Sequence, residues 1–257
     1  MSMDSVLEPR ERRRLWFELG LVAALSLGQS AVYAVVKFLD IVTRGPISDA
    51  QAKLNTSLNP RPVFDLVYQL LDIGFSLVPV ALALYLLSRD PDPEPLSRRL
   101  GVQGRPVRDF GYGVLLFGII GIGTLGVYAG GRALGITAEV QPANLGDYWW
   151  TITIPVLLLS AAKNGVLEEV LIFGFGAERL RRLGYGPWTI IIALALFRGS
   201  YHLYQGIGPF IGNVAMGIIF GWFYLRTRRL MPIVWAHTLI DVVGFLAPGV
   251  LSLVDTR

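Results

Sequence analysis

Two adjacent carboxylates, Glu168 and Glu169, interrupt an apolar run that begins near Tyr148. An ionisable side chain at bilayer depth costs at least ~2.5 kcal/mol, so it normally faces a bundle interior or a water-filled cavity. The chain contains only two histidines, His202 and His237, and both lie in later apolar segments. We therefore expect the glutamates to meet the histidines in one polar cavity, where these side chains can exchange protons with a substrate.

Each histidine is accompanied by a second polar residue on the same helix face. Asp241 lies four residues after His237, and Arg198 lies four residues before His202, a spacing that places both members of a pair on one face. Taken singly, each residue has an ordinary structural role as a counter-ion or a packing contact, and Asn164 fits a helix interface. Together they favour a functional cavity, with Arg198 and Asn164 as supporting residues.

The composition bounds the fold class. Hydrophobic residues make up 53% of the chain and charged residues only 16%, and several apolar windows are long enough to cross a hydrocarbon layer of ~30 Å. These features exclude a soluble globular protein and predict an all-α, polytopic integral membrane helix bundle with about 7–8 transmembrane helices. The absence of cysteine excludes disulfides, thiolate metal sites and a cysteine nucleophile.

The apolar segments predict a short tail, residues 1–14, followed by a single membrane domain, residues 15–257. The fourth segment, about residues 148–180, exceeds the ~20 residues of one straight crossing, so we expect a bend near Lys163-Asn164-Gly165. In chain order, the expected spans cover residues 15–39, 63–87, 110–133, 148–180, 188–204, 209–225 and 232–253.

The distribution of basic residues predicts the orientation. With a cytoplasmic N-terminus, the inner segments carry fifteen lysines and arginines and the outer segments carry five, as the positive-inside rule requires. We therefore expect a multi-pass protein of the cell membrane with the lipid bilayer as its surroundings. The excess positive charge follows from this topology, so it gives no reason to expect a nucleic-acid partner.

The polar residues resemble the three motifs of the CPBP family, which includes type II CAAX prenyl endopeptidases and bacterial bacteriocin-processing and immunity-associated (ABI-like) membrane proteins. Glu168-Glu169 is similar to the first motif, the histidine of Phe197-Arg-Gly-Ser-Tyr-His202 to the second, and His237-Thr-Leu-Ile-Asp241 to the third. The resemblance covers a core of about residues 148–245, whereas the first three spans match only as generic membrane helices.

Two positions depart from the family pattern. The first motif is usually Glu-Glu-x-x-x-Arg, but Phe173 stands at the arginine position. The second motif is usually Phe-x-x-x-His, but Phe197 precedes the histidine by five residues. The missing arginine would have neutralised Glu169, so we expect Arg198 to take over this charge balance, with Lys163 as the weaker candidate.

The resemblance implies an intramembrane endopeptidase that hydrolyses a membrane-associated protein or peptide. Glu168 would act as a general base on water, assisted by His202, beside the second catalytic carboxylate, Glu169. His237 and Asp241 would stabilise the oxyanion or order the site. Aspartate donates a hydrogen bond only when protonated, so orienting His237 is the role expected of Asp241.

Other readings stay open. A zinc ion on Glu168, His202 and His237 is the metal alternative, but without an HExxH motif we favour a metal-free glutamate mechanism with no cofactor. Phe173 motivates a catalytically silent binding or immunity protein, and a proton-coupled transporter would use the same carboxylates. The arginine-rich, cysteine-free composition favours a bacterial host, which argues against a prenylated CAAX substrate.

Overall fold

The computed structural model describes residues 8–53, 55–141 and 152–255. These residues are 79% helical with almost no sheet, and the apolar helices pack side by side. The expectation of an all-α membrane helix bundle is therefore confirmed. The first residues of the expected fourth segment, 148–151, lie outside the described part.

Eleven α-helices and two short strands occur in the described residues. The helices are α1 (Pro9–Ala24), α2 (Leu27–Arg44), α3 (Pro62–Ser76), α4 (Val78–Ser88), α5 (Leu96–Arg99), α6 (Pro106–Ala133), α7 (Ile154–Glu169), α8 (Glu178–Arg182), α9 (Pro187–Ser200), α10 (Ile207–Thr227) and α11 (Met231–Asp255). The strands, β1 (Gln51–Lys53) and β2 (Glu139–Gln141), form a parallel pair. Short 3₁₀ turns cover Ile47–Asp49 and Leu203–Gln205, and a π-helical stretch, Val170–Ala177, joins α7 to α8.

Three helical stretches are long and apolar enough to cross a membrane: α3 with α4, α6, and α10. The pair α1 and α2 forms a fourth if counted as one bent span, and α9 and the first part of α11 are shorter apolar helices. The number of crossings, about 7–8 from the sequence, stays a prediction.

The expected first span is bent rather than straight. Helices α1 and α2 meet at an angle of 57°, and the Ser26 hydroxyl donates to the Val22 carbonyl at 2.6 Å. Such a side-chain bond competes with the backbone ladder and bends helices. Helix α1 begins at Pro9, a residue suited to a first helical position, so the expected boundary at residue 15 lies inside this helix.

The expected bend before the glutamates is wrong in position. Helix α7 continues without interruption through Lys163-Asn164-Gly165 to Glu169. The irregular backbone follows instead, as the buried π-helical stretch Val170–Ala177. Because π-helical turns take extra residues, they rotate the chain that follows relative to the glutamates, and they occur frequently at functional sites.

Two glycines let the helices that carry polar residues approach closely. A Cβ atom at Gly165 of α7 would lie 2.4 Å from Thr238 Oγ1 of α11, and one at Gly217 of α10 would lie 2.8 Å from the Ala195 Cα atom of α9. Both distances are too short for real side-chain contacts. Glycine therefore brings α7 to α11, and α10 to α9, at backbone contact distance.

Candidate functional site

Three helices supply the site. Helix α7 carries Asn164, Glu168 and Glu169 in its last turns, α9 carries Arg198 at its end with His202 just beyond it, and α11 carries His237 and Asp241. The structure brings all seven sequence-predicted residues into one connected set of polar contacts. Arg198 also lies beside Gly217, the midpoint of α10, so the set lies halfway along that helix.

Glu169 is held by two partners in a fully buried position. Its side chain has no solvent exposure, Arg198 Nη1 donates to its Oε1 atom at 2.6 Å, and His237 Nδ1 lies 2.7 Å from the same oxygen. A buried carboxylate is stable only when it is paired and hydrogen-bonded. Arg198, itself fully buried, supplies the positive charge.

Glu168 is approached on one oxygen, Oε2, by three side chains. The Tyr201 hydroxyl donates a hydrogen bond to this oxygen at 2.5 Å. Arg198 Nη2 lies 3.3 Å from it, and His202 Nε2 lies 4.0 Å from it. The carboxylate thus combines a short hydrogen bond, an ion pair and a nearby imidazole. Burial strengthens each of these electrostatic contacts.

The contacts of His237 determine its tautomer. Its Nδ1 atom lies between Glu169 Oε1, at 2.7 Å, and Arg198 Nη2, at 3.2 Å. An arginine only donates, whereas a carboxylate accepts, so the shorter contact assigns a proton to Nδ1 that is donated to Glu169. In the neutral ring, Nε2 is then an unprotonated acceptor.

Asp241 does not orient His237 by a direct hydrogen bond. The distance from His237 Nε2 to Asp241 Oδ1 is 3.8 Å, which exceeds hydrogen-bond length. Asp241 instead accepts a hydrogen bond at 2.7 Å from Asn164 Nδ2. The ring of His237 is therefore oriented from its Nδ1 side, by Glu169, and the Asn164–Asp241 pair flanks the other nitrogen.

Three buried atoms of the site have no hydrogen-bond partner among the described residues. They are His202 Nε2, Glu169 Oε2 and Arg198 Nε. Buried polar groups are nearly always satisfied, so an orphaned one calls for a water, an ion or a ligand. The histidine nitrogen is the most informative of the three because it faces Glu168.

Phe173, which departs from the family motif, and Lys163, the weaker candidate cation, make their contacts with residues outside the polar set. Phe173 is fully buried and packs near Tyr224, with ring centroids 6.3 Å apart. Lys163 contacts Asp72 at 3.9 Å. Of the cations considered from the sequence, Arg198 is the one in contact with both glutamates.

Tyr201 is the site residue that the sequence reasoning missed. Tyrosine is an ordinary residue of membrane helices, so its type alone gives no signal. Its spacing does give one, because it lies three residues after Arg198 and directly before His202. A residue at i+3 from a functional arginine shares its helix face.

A metal ion would meet an unfavourable environment here. Ligand atoms of Glu168, Glu169 and His237 lie within 4.8 Å of one another, a set in which Glu169 replaces the expected His202. Arg198 already bonds the carboxylates of this set, and His237 Nδ1 already bonds Glu169. Because a guanidinium cannot lose its charge and would repel a divalent cation, a zinc ion at these residues would have to compete with the ion pairs of Arg198.

Residues 149–243 match the family model of type II CAAX prenyl endopeptidase Rce1-like proteins. The resemblance to the CPBP family is confirmed. The Rce1-like segment contains every site residue, from Asn164 to Asp241, and supports a membrane protease of the CAAX type in general. No curated protein and no solved structure matches the chain.

Proposed function

We propose that the protein is an intramembrane endopeptidase that hydrolyses a peptide bond of a membrane-associated protein or peptide with a water molecule activated by Glu168. The observation that carries this proposal is the pair formed by His202 Nε2, a buried atom with no hydrogen-bond partner among the described residues, and the Glu168 carboxylate, whose Oε2 atom lies 4.0 Å away. This separation is short enough for one water molecule to hydrogen-bond to the histidine nitrogen and to either oxygen of the carboxylate. A general base needs to lie within hydrogen-bond reach of the water from which it takes a proton.

In the proposed reaction, the Glu168 carboxylate accepts a proton from this water while His202 orients it. The water oxygen attacks the carbonyl carbon of the substrate, and the bond between that carbon and the amide nitrogen breaks after the nitrogen receives the proton from Glu168. General acid–base assistance of this kind contributes about 10²–10⁴-fold to the rate.

Arg198 keeps both glutamates ionised in this proposal. Adjacent carboxylates in a low-dielectric site repel each other, and one of them takes up a proton unless a cation is close. The contacts of Arg198 with Glu169 at 2.6 Å and with Glu168 at 3.3 Å satisfy this requirement. The general base is then in the charged form that accepts a proton.

His237 stabilises the developing oxyanion in this mechanism. The Nδ1–H group of His237 hydrogen-bonds to Glu169. When Nε2 is also protonated, it can donate a hydrogen bond to the oxyanion. The carboxylates of Glu169 and Asp241, on either side of the ring, stabilise this cationic form. Asn164 holds Asp241 in place through its 2.7 Å hydrogen bond.

The observation that favours a second candidate function is Phe173, which replaces the family arginine. A catalytically silent family member that binds a membrane partner or confers immunity needs no activated water. We place either function in a bacterial cell membrane with the N-terminus in the cytoplasm, on the basis of composition and charge distribution.

Cleavage of membrane-inserted peptides by the purified protein in liposomes tests the proposal. The peptide library includes a prenylated CAAX peptide, and Glu168→Gln is compared with Glu139→Gln, which changes an exposed glutamate of β2. We expect wild type and Glu139→Gln to cleave, and Glu168→Gln to lose at least about 10²-fold in kcat.

Two other outcomes contradict parts of the proposal. Loss of cleavage with a metal chelator, reversed by zinc, would contradict the metal-free mechanism. A wild-type protein that binds but cleaves none of the peptides would support the silent family member.

A further inference from the structure

Tyr201 is a buried side chain whose hydroxyl bonds the proposed base. Only 5% of the residue is exposed. Its ring packs edge-on against Phe197, with centroids 6.0 Å apart at an interplanar angle of 76°, and lies 4.7 Å from the ring of His202. These contacts restrain the ring, so the hydroxyl is aimed at Glu168 Oε2 with little rotational freedom.

Side chains at and just beyond the end of α9 give the two carboxylate oxygens of Glu168 different surroundings. Tyr201 and Arg198 both contact Oε2, at 2.5 Å and 3.3 Å, while within the described residues no hydrogen bond reaches Oε1. A carboxylate oxygen that accepts a short hydrogen bond and lies beside a guanidinium is less basic than one without such contacts. Oε1 is therefore the oxygen better able to accept a proton.

We propose that Tyr201 is a positioning residue of the endopeptidase, whose hydroxyl holds Glu168 Oε2 and thereby assigns proton acceptance to Oε1. This inference rests on the proposed function and adds a residue to it. In the step concerned, an O–H bond of water breaks and the proton joins Oε1. The water oxygen bonds to the carbonyl carbon of the substrate, while the π pair of the carbonyl bond moves onto its oxygen to form the oxyanion. Tyr201 keeps its own proton throughout.

The geometric benefit is a fixed direction of attack. A carboxylate that can rotate presents either oxygen to the water, whereas one held at Oε2 presents a single lone-pair direction. Small errors in the placement of reacting groups lower rates strongly. Removal of the hydroxyl should therefore slow the chemical step and leave the binding of the peptide unchanged.

The test compares Tyr201→Phe with Tyr204→Phe in the liposome assay. Tyr204, three residues further on, accepts a hydrogen bond from Gln205 at 2.8 Å, and none of its hydrogen bonds among the described residues reaches a glutamate. We expect Tyr201→Phe to lower kcat by about tenfold or more with KM unchanged, since a hydrogen bond to a charged group is lost. Tyr204→Phe should keep both constants.

A spectroscopic measurement separates positioning from a structural role. Infrared difference spectra assign the carboxylate band of Glu168 by its absence in Glu168→Gln. The band should change frequency in Tyr201→Phe and stay in place in Tyr204→Phe. If Tyr201→Phe unfolds, replacement of Tyr201 by 3-fluorotyrosine keeps the hydroxyl and alters its donor strength, so the band should still move.

The outcomes distinguish this inference from the proposed function. A folded Tyr201→Phe variant with wild-type kcat, or with an unchanged carboxylate band, overturns the positioning role and leaves the endopeptidase intact. Undiminished cleavage by Glu168→Gln overturns the proposed function, and the role of Tyr201 is then overturned with it.

Discussion

The charge balance of the site comes from a helix other than the one that carries the glutamates. In the family pattern the arginine follows the glutamates on their own helix, but here that position is the buried Phe173. Arg198, at the end of α9, makes the ion pairs with Glu168 and Glu169. Electrostatics requires a cation within a few ångströms and does not require a particular helix to supply it.

Replacing Arg198 tests this charge balance. Arg198→Ala leaves the fully buried Glu169 without a cation, and breaking a buried pair in this way costs about 3–5 kcal/mol. We expect lost proteolysis or lost folding, measured by the liposome assay and by thermal unfolding. Lys163→Ala, which removes a longer 3.9 Å contact with Asp72, should have a mild effect.

Replacement of the arginine by lysine sharpens the same test. Arg198→Lys keeps the charge but loses the planar fork that reaches both carboxylates. We expect a folded protein with much less activity. Wild-type proteolysis in Arg198→Ala would contradict the proposed role.

At this scale the sequence predicts the ionisable residues and Asn164, but it misses Tyr201. Glu168, Glu169 and His237 stand out because ionisable groups in apolar segments are costly. Tyr201 does not stand out, because a tyrosine is stable at many depths. The spacing of residues in the sequence does not determine which carboxylate lies beside each ring nitrogen of His237, because that depends on side-chain geometry.

At the scale of elements, the glycine contact between α7 and α11 holds the two halves of the site together. Gly165 lies between Asn164 and the glutamates, and a Cβ atom there would lie 2.4 Å from Thr238 Oγ1 and 3.0 Å from the Val234 carbonyl oxygen. The helices can separate to relieve this clash. Separation would move Glu169 away from His237, whose contact is only 2.7 Å long.

Gly165→Ala should therefore reduce both activity and stability. Overpacking of a close helix contact typically costs about 1–3 kcal/mol. The control is Gly118→Ala in α6, where a Cβ atom would meet nothing within 4 Å, and this variant should be tolerated. Thermal unfolding and cleavage rates check both variants, and equal behaviour of the two would show that α7 and α11 do not depend on Gly165.

The length of the fourth apolar segment predicts that one straight crossing is insufficient, but it does not predict where the backbone departs from the α-helix. The deviation, Val170–Ala177, is a run of apolar residues without proline. Its π-helical turns depend on packing against neighbouring helices, which a local pattern does not reveal. The bend between α1 and α2 has a local cause, the Ser26 hydroxyl, that hydropathy ignores.

At the scale of the whole molecule, an ion-pair cluster links several segments at one end of the bundle. Asp90, just after α4, contacts Arg179 at 2.7 Å and Arg99 at 3.1 Å, and it also pairs with Arg182. Burial raises the pKa of the Asp90 carboxyl, but the hydrogen bonds and charges of these arginines outweigh burial and hold the pKa below its usual value of 3.8. The charged form is therefore the one that stabilises the fold.

The stability contributed by Asp90 should depend on pH. Because its pKa is lowered in the folded protein, the contribution is complete above the unfolded-state pKa and is lost as pH falls through the folded-state pKa. Asp90→Asn should unfold at a lower temperature than wild type at about pH 7, and this difference should shrink below about pH 4. The exposed Asp40→Asn, which breaks a surface pair with Arg44, should show little effect at either pH. A pH-independent difference for Asp90→Asn would contradict this assignment.

The contacts at the two ends of the bundle agree with the alternation expected from the sequence. At one end, three segments predicted to be cytoplasmic meet, since Arg182 pairs with both Glu11 and Asp90. At the other end, segments predicted to be external meet, since β1 pairs with β2 and Thr137 bridges to Gly206. The charge excess then favours the end that contains Asp90 as the cytoplasmic one.

Labelling of single cysteines tests this orientation, and the chain suits the experiment because it contains no native cysteine. Pro95→Cys lies in the exposed loop before α5, at the end with the ion-pair cluster, and Thr56→Cys lies in the exposed loop before α3 at the opposite end. In intact cells, a membrane-impermeant thiol reagent should label Thr56→Cys and should label Pro95→Cys only after the membrane is permeabilised. The physical reason is that fifteen basic residues against five favour retention of the first end in the cytoplasm. Labelling of Pro95→Cys from outside would show that the orientation is the reverse of the predicted one, with Asp90 and its arginines on the external face.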